Sequence, residues 1–219
     1  MQLAKEHRGE AQQKTERLGV LEGFGSTRRE HVLLVGRPGT GKSTALARLL
    51  LEEAQKARGE TGGNSQVKIP VLVELRYYRT SVLNLIRDFL QRHQMLLDSV
   101  EIEQLLFHGR LLLLVDGLNE LPSEAARRDL KALRQNYQKT TPMIFTTRDL
   151  GVGSDLGIAK KLEMQPLTEA QMQQFVRAYL PLQSERMLRQ LGNPTGNRSP
   201  LRRETLLSGL SHRLREFGH

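Results

Sequence analysis

The sequence predicts an α/β protein, a parallel sheet of about five strands with helices on both faces. Three observations carry this. Apolar runs alternate with helical stretches along most of the chain. Two of those runs, KIPVLVEL (68–75) and LLLLV (111–115), are nearly continuous, as in strands buried on both faces. The first run, Val32 to Val35, ends in GRPGTGKS (36–43), an unbroken G-x-x-x-x-G-K-[ST] placed between a strand and a helix.

That loop reads as a phosphate site. Gly36, Gly39 and Gly41 let the backbone turn sharply and leave its N–H groups facing an anion. The helix starting near Lys42 presents its positive dipole end to the same anion. Lys42 would reach the β- and γ-phosphates and the Ser43 hydroxyl would bind Mg²⁺, with Arg37, Pro38, Thr40 and Thr44 completing the nucleotide-binding segment. By average residue usage the bare pattern arises in roughly 1% of chains this long, and legible flanking elements make a ligand-free turn a poor account.

Composition narrows the class. The chain has 219 residues, 38% hydrophobic and 26% charged, enough for one α/β domain with a small appendage. There is no cysteine, which removes disulfides and thiolate metal sites. The six histidines are scattered, with no pair at zinc spacing. The N-terminus has no signal-peptide core, and the longest strongly apolar run, Leu111 to Val115, falls far short of the ~20 residues of a membrane helix, so a cytoplasmic protein with no membrane segment is expected. The net charge of +9 is spread out and aromatics are 5%, a pattern that argues against specific nucleic-acid binding.

Taken in order, residues 1–27 form a polar lead-in, its first 18 residues reading as a solvated helix or a frayed lead-in. The core is expected over 28–180. After the glycine loop, Leu46, Leu49 and Leu50 recur at helical spacing, and ARGETGGNSQ (57–66) is a loop before the second strand. Ser81 caps a helix with apolar residues at 82, 83, 86, 89 and 90, and a short helix covers Val100 to His108. The third strand ends in Asp116, Ser123 caps a helix bearing Leu130, Leu133 and Tyr137, and the fourth strand, Met143 onward, ends in Arg148 and Asp149. Residues 150–157 form a loop and 162–164 a weak fifth strand; Thr168 and Gln171 then make a capping box for a helix to about Tyr179. Residues 181–219 are a partial helical appendage.

Ligands of open parallel sheets sit at the carboxyl ends of the strands. There Asp116 is placed to hold Mg²⁺ beside Ser43, Arg148 to meet the γ-phosphate, and Glu120 to orient or deprotonate the attacking water. Each has a structural alternative: Asp116 as a strand-to-turn residue, Glu120 as a helix-capping or solvated acid, Arg148 as the ion-pair partner of Asp149 or Glu120.

GRPGTGKST (36–44), LLLLVDGLNEL (111–121) and IFTTRD (144–149), in that order, resemble the NACHT-type P-loop NTPases of the STAND class. Gly117 directly after Asp116, with Asn119 and Glu120 beyond, is similar to the NACHT form of that acidic motif; AAA+ ATPases tend to carry Glu in place of Gly117. KIPVLVEL and LTEAQMQQFVRAYL look like bacterial, especially cyanobacterial, members, and the resemblance spans about 28–191. It implies a three-layer P-loop fold with strand order 5-1-4-3-2, Arg148 as the γ-phosphate sensor, and an ATP- or GTP-driven switch that hydrolyses slowly and oligomerises in signalling or defence.

The chain departs from that pattern at Asn119, where an acid is commonest, and in its C-terminal part. NPTGNRSP (193–200) and SHRLREFGH (211–219) stand where the family continues into a helical bundle, so the chain reads as truncated after the nucleotide-binding core or as a minimal form. Leu206, Leu207, Leu210, Leu214 and Phe217 make a helical apolar stripe that either folds back or meets another copy or a partner protein. Beside a slow Mg-dependent ATPase or GTPase, the residues leave open an adaptor that binds nucleotide without hydrolysis and a small-molecule P-loop kinase.

Overall fold

The computed structural model describes residues 2–5, 16–19, 31–59, 68–149 and 156–165, and places residues 170, 173 and 177 as helical. The strands are β1 (Gln2–Lys5), β2 (Glu16–Gly19), β3 (Val32–Val35), β4 (Ile69–Glu74), β5 (Leu111–Asp116), β6 (Met143–Thr147) and β7 (Lys160–Met164). The helices are α1 (Lys42–Gly59), α2 (Val82–Arg92), α3 (Ser99–Phe107) and α4 (Glu124–Tyr137).

The sheet order is β2-β1-β7-β3-β6-β5-β4. Its five members from β7 to β4 are mutually parallel and run in the expected order, so β6 lies between β3 and β5. Alternation across the strands divides the core into two layers. Leu33, Val35, Val71, Leu113, Val115 and Phe145 face one cluster with Ile86 and Leu90 of α2, Ile102 and Leu106 of α3, and Leu130 of α4. Val32, Leu34, Leu114, Ile144 and Leu162 face the other, against Ala45, Leu46 and Leu49 of α1. Every residue of β3 is buried, which is why its sequence is continuously apolar.

The helices start where the chain supplies caps. Ser81 accepts from the Asn84 N–H and Ser123 from the Ala126 N–H, at 3.1 and 3.2 Å. α3 starts one residue before the expected Val100. There Asp98 and Glu101 form a reciprocal capping box, each carboxylate accepting a backbone N–H at 2.8 Å.

One expectation is corrected. Within the expected lead-in, residues 2–5 and 16–18 are extended and not helical: β1 pairs antiparallel with β2 and with β7, Leu3 opposite Met164 and Lys5 opposite Leu162. The physical reason is the edge of β7, whose backbone donors and acceptors would otherwise face outward; a short antiparallel hairpin covers them. Within the expected 150–157 loop, Leu156 is buried and joins the larger core cluster together with Ile158. The capping box at Thr168 and Gln171 and the C-terminal stripe lie outside the described residues. No described helix is long and apolar enough to cross a membrane.

Candidate functional site

The loop after β3 is held from both sides. The Gly36 N–H donates to the Thr147 carbonyl of β6 at 3.2 Å. A Cβ on Gly36 would lie 2.8 Å from the Met164 Cβ of β7 and 2.8 Å from the Thr40 hydroxyl, so only glycine fits this close approach. Gly39 and Gly41 adopt left-handed φ values of 77° and 91°. The Thr40 hydroxyl donates to the Arg37 carbonyl at 2.9 Å and closes the turn. The first helical bond of α1 runs from the Ala45 N–H to the Gly41 carbonyl at 2.8 Å, so the amides of Lys42, Ser43 and Thr44 belong to the open first turn. Arg37 and Pro38 are exposed at the tip, and Ser43 and Thr44 are half-buried.

Lys42 turns back over the loop and donates to the Gly36 and Arg37 carbonyls at 2.5 and 3.0 Å. Burial pushes its ammonium down to about 8; Asp116 works against that shift, Arg148 adds to it, and Glu120 opposes it. Those three residues, brought by β5 and β6, therefore share one electrostatic environment with the loop lysine.

Asp116 ends β5, and the chain then turns through Gly117 at φ 86° into a 3-10 turn, Leu118–Glu120, anchored by buried Leu118. A Cβ on Gly117 would meet the Glu120 carboxylate at 2.9 Å, which accounts for glycine directly after the acid. Arg148 follows β6. Its guanidinium pairs with Glu120 at 2.9 Å, and its backbone N–H donates to the Asn119 side-chain oxygen at 3.2 Å. The ion pair named as the structural alternative for Arg148 is thus present, with Glu120.

A residue the sequence reading passed over is Thr146. It is buried on β6, donates to the Asp116 carboxylate at 2.5 Å and accepts the Gly117 N–H at 2.8 Å. One hydroxyl thereby orients the carboxylate and fixes the turn behind it. The available signal was a polar pair, Thr146-Thr147, inside an otherwise apolar strand. Asn119 also gains a role, as the clip that holds Arg148 against the turn.

A parallel sheet in this order, with a glycine loop and helix-start lysine after one strand and an aspartate on the next strand but one, defines a P-loop nucleoside triphosphatase domain. The chain belongs to the NACHT domain family, whose model matches residues 30–183, and so to a class that binds and hydrolyses nucleotides. No curated protein matches the chain. Among solved structures it is similar to C. elegans PCH-2, at 15% identity and a TM-score of 0.43 over 72% of this chain and 41% of that one. It is also similar to the cytoplasmic domain of the Thermomonospora curvata type VII secretion ATPase EccC, at 16% identity and a TM-score of 0.29 over 64% of this chain and 18% of that one. The chain spans less than half the length of either.

Proposed function

We propose that this chain binds a Mg²⁺-complexed nucleoside triphosphate, ATP or GTP, on residues 36–44 and hydrolyses it slowly, as a switch in signalling or defence-type assemblies. The observation that carries the reading is that adjacent strands β3, β6 and β5 bring the Lys42 loop, Arg148 with its partner Glu120, and Asp116 to the same end of the sheet. The residues present suit the groups required. Gly36 lets the loop pack closely on Met164 and Thr40, and the first turn of α1 offers amides to an anion. The Ser43 hydroxyl and the Asp116 carboxylate are the hard oxygen donors Mg²⁺ prefers. When bound, the metal neutralises phosphate charge and polarises the phosphoryl oxygens.

The chain's own groups then have distinct tasks. Lys42 exchanges the loop carbonyls for the β- and γ-phosphate oxygens. Arg148 neutralises charge on the γ-phosphoryl group, and Glu120 orients the water whose oxygen forms the new bond to phosphorus as the bond to the β-phosphate oxygen breaks. Slow turnover follows from the pairing of Glu120 with Arg148, because one carboxylate serves both partners. The same pairing favours a second reading, an adaptor that binds nucleotide without significant hydrolysis. In either case the nucleotide-bound form is the one expected to self-associate or meet a partner through the C-terminal stripe at 206–217.

Thermal denaturation with Mg-ATP and with Mg-GTP tests the site. Lys42→Ala abolishes the nucleotide-dependent stabilisation, and an unchanged shift in that variant refutes the assignment. Glu120→Gln slows phosphate release about tenfold or more with binding retained, a modest share of the range typical of a positioned base. An undiminished rate removes Glu120 from the reaction, and binding without any release by the unmodified protein leaves the adaptor.

A further inference from the structure

Parallel strands gather residues at both of their ends, and the end opposite the nucleotide loop also holds a site. A cleft of about 820 Å³ opens there, beside the end of α3 and the connection into β6. Lys68 lies just before β4, Arg110 just before β5 and Lys139 shortly before β6, and all three line it. The six residues of β5 put this edge about 20 Å from Asp116, so the cleft is separate from the nucleotide site.

Its floor is fixed. The Thr140 and Thr141 hydroxyls both donate to the Leu106 carbonyl, at 3.0 and 2.5 Å. Gly109 sits at φ +64° with the Thr140 carbonyl oxygen 2.6 Å from where a Cβ would be, so the two loops are locked together. The acid in the lining, Glu101, is engaged by the Asp98 N–H in the capping box of α3. Among the described residues neither Arg110 nor Lys139 forms an ion pair.

Beside these cations α3 and its lead-in expose apolar surface. Leu96, Val100 and Phe107 are 81%, 62% and 65% exposed, three of the five large hydrophobics most open to solvent among the described residues. Val100 and Phe107 are two helical turns apart and share one face. Leu97, Leu105 and Phe107 carry the apolar surface into the cleft. Apolar area and cations left open together mark a contact with a partner more than a solvated face.

We propose that this cleft and the adjoining α3 face dock an acidic segment of a partner protein, its carboxylates on Arg110 and Lys139 and an apolar side chain against Leu97 and Phe107. Charge selects the occupant. A second copy docking this face against its own equivalent would set Arg110 and Lys139 against like charges. A nucleic acid would satisfy the cations but not the aliphatic surface. An acidic segment with apolar residues satisfies both halves of the site.

The test is fluorescence anisotropy on the full chain with a labelled peptide of Glu, Leu and Phe, its apolar residues at helical spacing. Saturable micromolar binding is expected, weakened about tenfold or more by Arg110→Glu with Lys139→Glu and by Phe107→Ser, and unchanged in Lys42→Ala, since the proposal does not depend on the nucleotide reading. If charge reversal unfolds the protein by circular dichroism, the pair Arg110→Gln and Lys139→Gln replaces it. Three results would overturn the proposal: no saturable binding, equal binding of a Glu/Gly peptide, or tighter binding of a single-stranded oligonucleotide lost in the same variants. Dimerisation of the protein abolished by those variants would assign the face to a second copy and overturn it equally.

Discussion

Lys42 shows how one side chain can be set up for an anion and held meanwhile by its own loop. Its ammonium is satisfied by two carbonyls, yet burial has lowered it to about 8, within reach of ordinary solution conditions. The sign of the resulting pH dependence is fixed. On the proposed reading a triphosphate is bound by the charged form, so above pH 8 binding would take up a proton and affinity would fall with rising pH, by up to about tenfold per unit. Titrating Mg-nucleotide affinity between pH 7.5 and 9.5 should show this fall, and Lys42→Arg, which stays charged, should flatten it. Thr146 makes the second prediction at this scale. Thr146→Val leaves the Asp116 oxygen and the Gly117 N–H without the hydroxyl they share, costing about 1–3 kcal/mol of stability. If it also positions the carboxylate, Mg²⁺-dependent nucleotide affinity drops in Val and returns in Thr146→Ser; a loss of stability with unchanged Mg²⁺ dependence would make the residue purely structural. The loop glycines and Lys42 were legible because they answer to a fixed spacing, and Asp116 because it ends an unbroken apolar run. Thr146 and Asn119 were not, because their roles arise only when β6 is laid against β5, thirty residues apart in sequence.

The elements divide in the same way. β3, β4 and β5 declared themselves through unbroken apolar runs, and Ser81 and Ser123 marked two helix starts by residue type alone. The capping box of α3 was also written in the chain, as Asp98 and Glu101 three apart, but a nine-residue helix with its apolar residues partly exposed gave a weak period. The hairpin of β1 and β2 had no local signal. Four residues are too few for a two-residue alternation to stand out, and what selects the extended form is the bare edge of β7, a tertiary demand. That account is testable. Prolines at both Leu3 and Ala4 remove one backbone donor toward each neighbouring strand. Amide exchange in residues 160–164 should then quicken tenfold or more while β4 and β5 stay protected. Unchanged protection at β7 would mean that the hairpin is not what shields this edge.

At the scale of the whole molecule, the strand order decides what nucleotide binding does to stability. β6 separates β3 from β5, so the glycine loop, Arg148 and Asp116 descend from three adjacent central strands, while β4 and the amino-edge cleft stand apart. A triphosphate touching all three strand ends would act as a clamp across the middle of the sheet and would leave the far edge alone. The size of the effect follows from mass action: at a hundredfold excess over Kd, ligand binding adds about 2.7 kcal/mol to the folded state. For a chain of this length each kcal/mol raises Tm by about 2–4 °C, so a non-hydrolysable Mg-triphosphate should raise it by about 5–10 °C. Hydrogen exchange should report where that stabilisation is felt below the global limit: slower exchange at 32–45, 113–120 and 143–148, and little change at 98–110. Equal protection at both edges would indicate coupling between the two sites through β5, and protection confined to 36–44 would show that Asp116 and Arg148 take no part in holding the nucleotide.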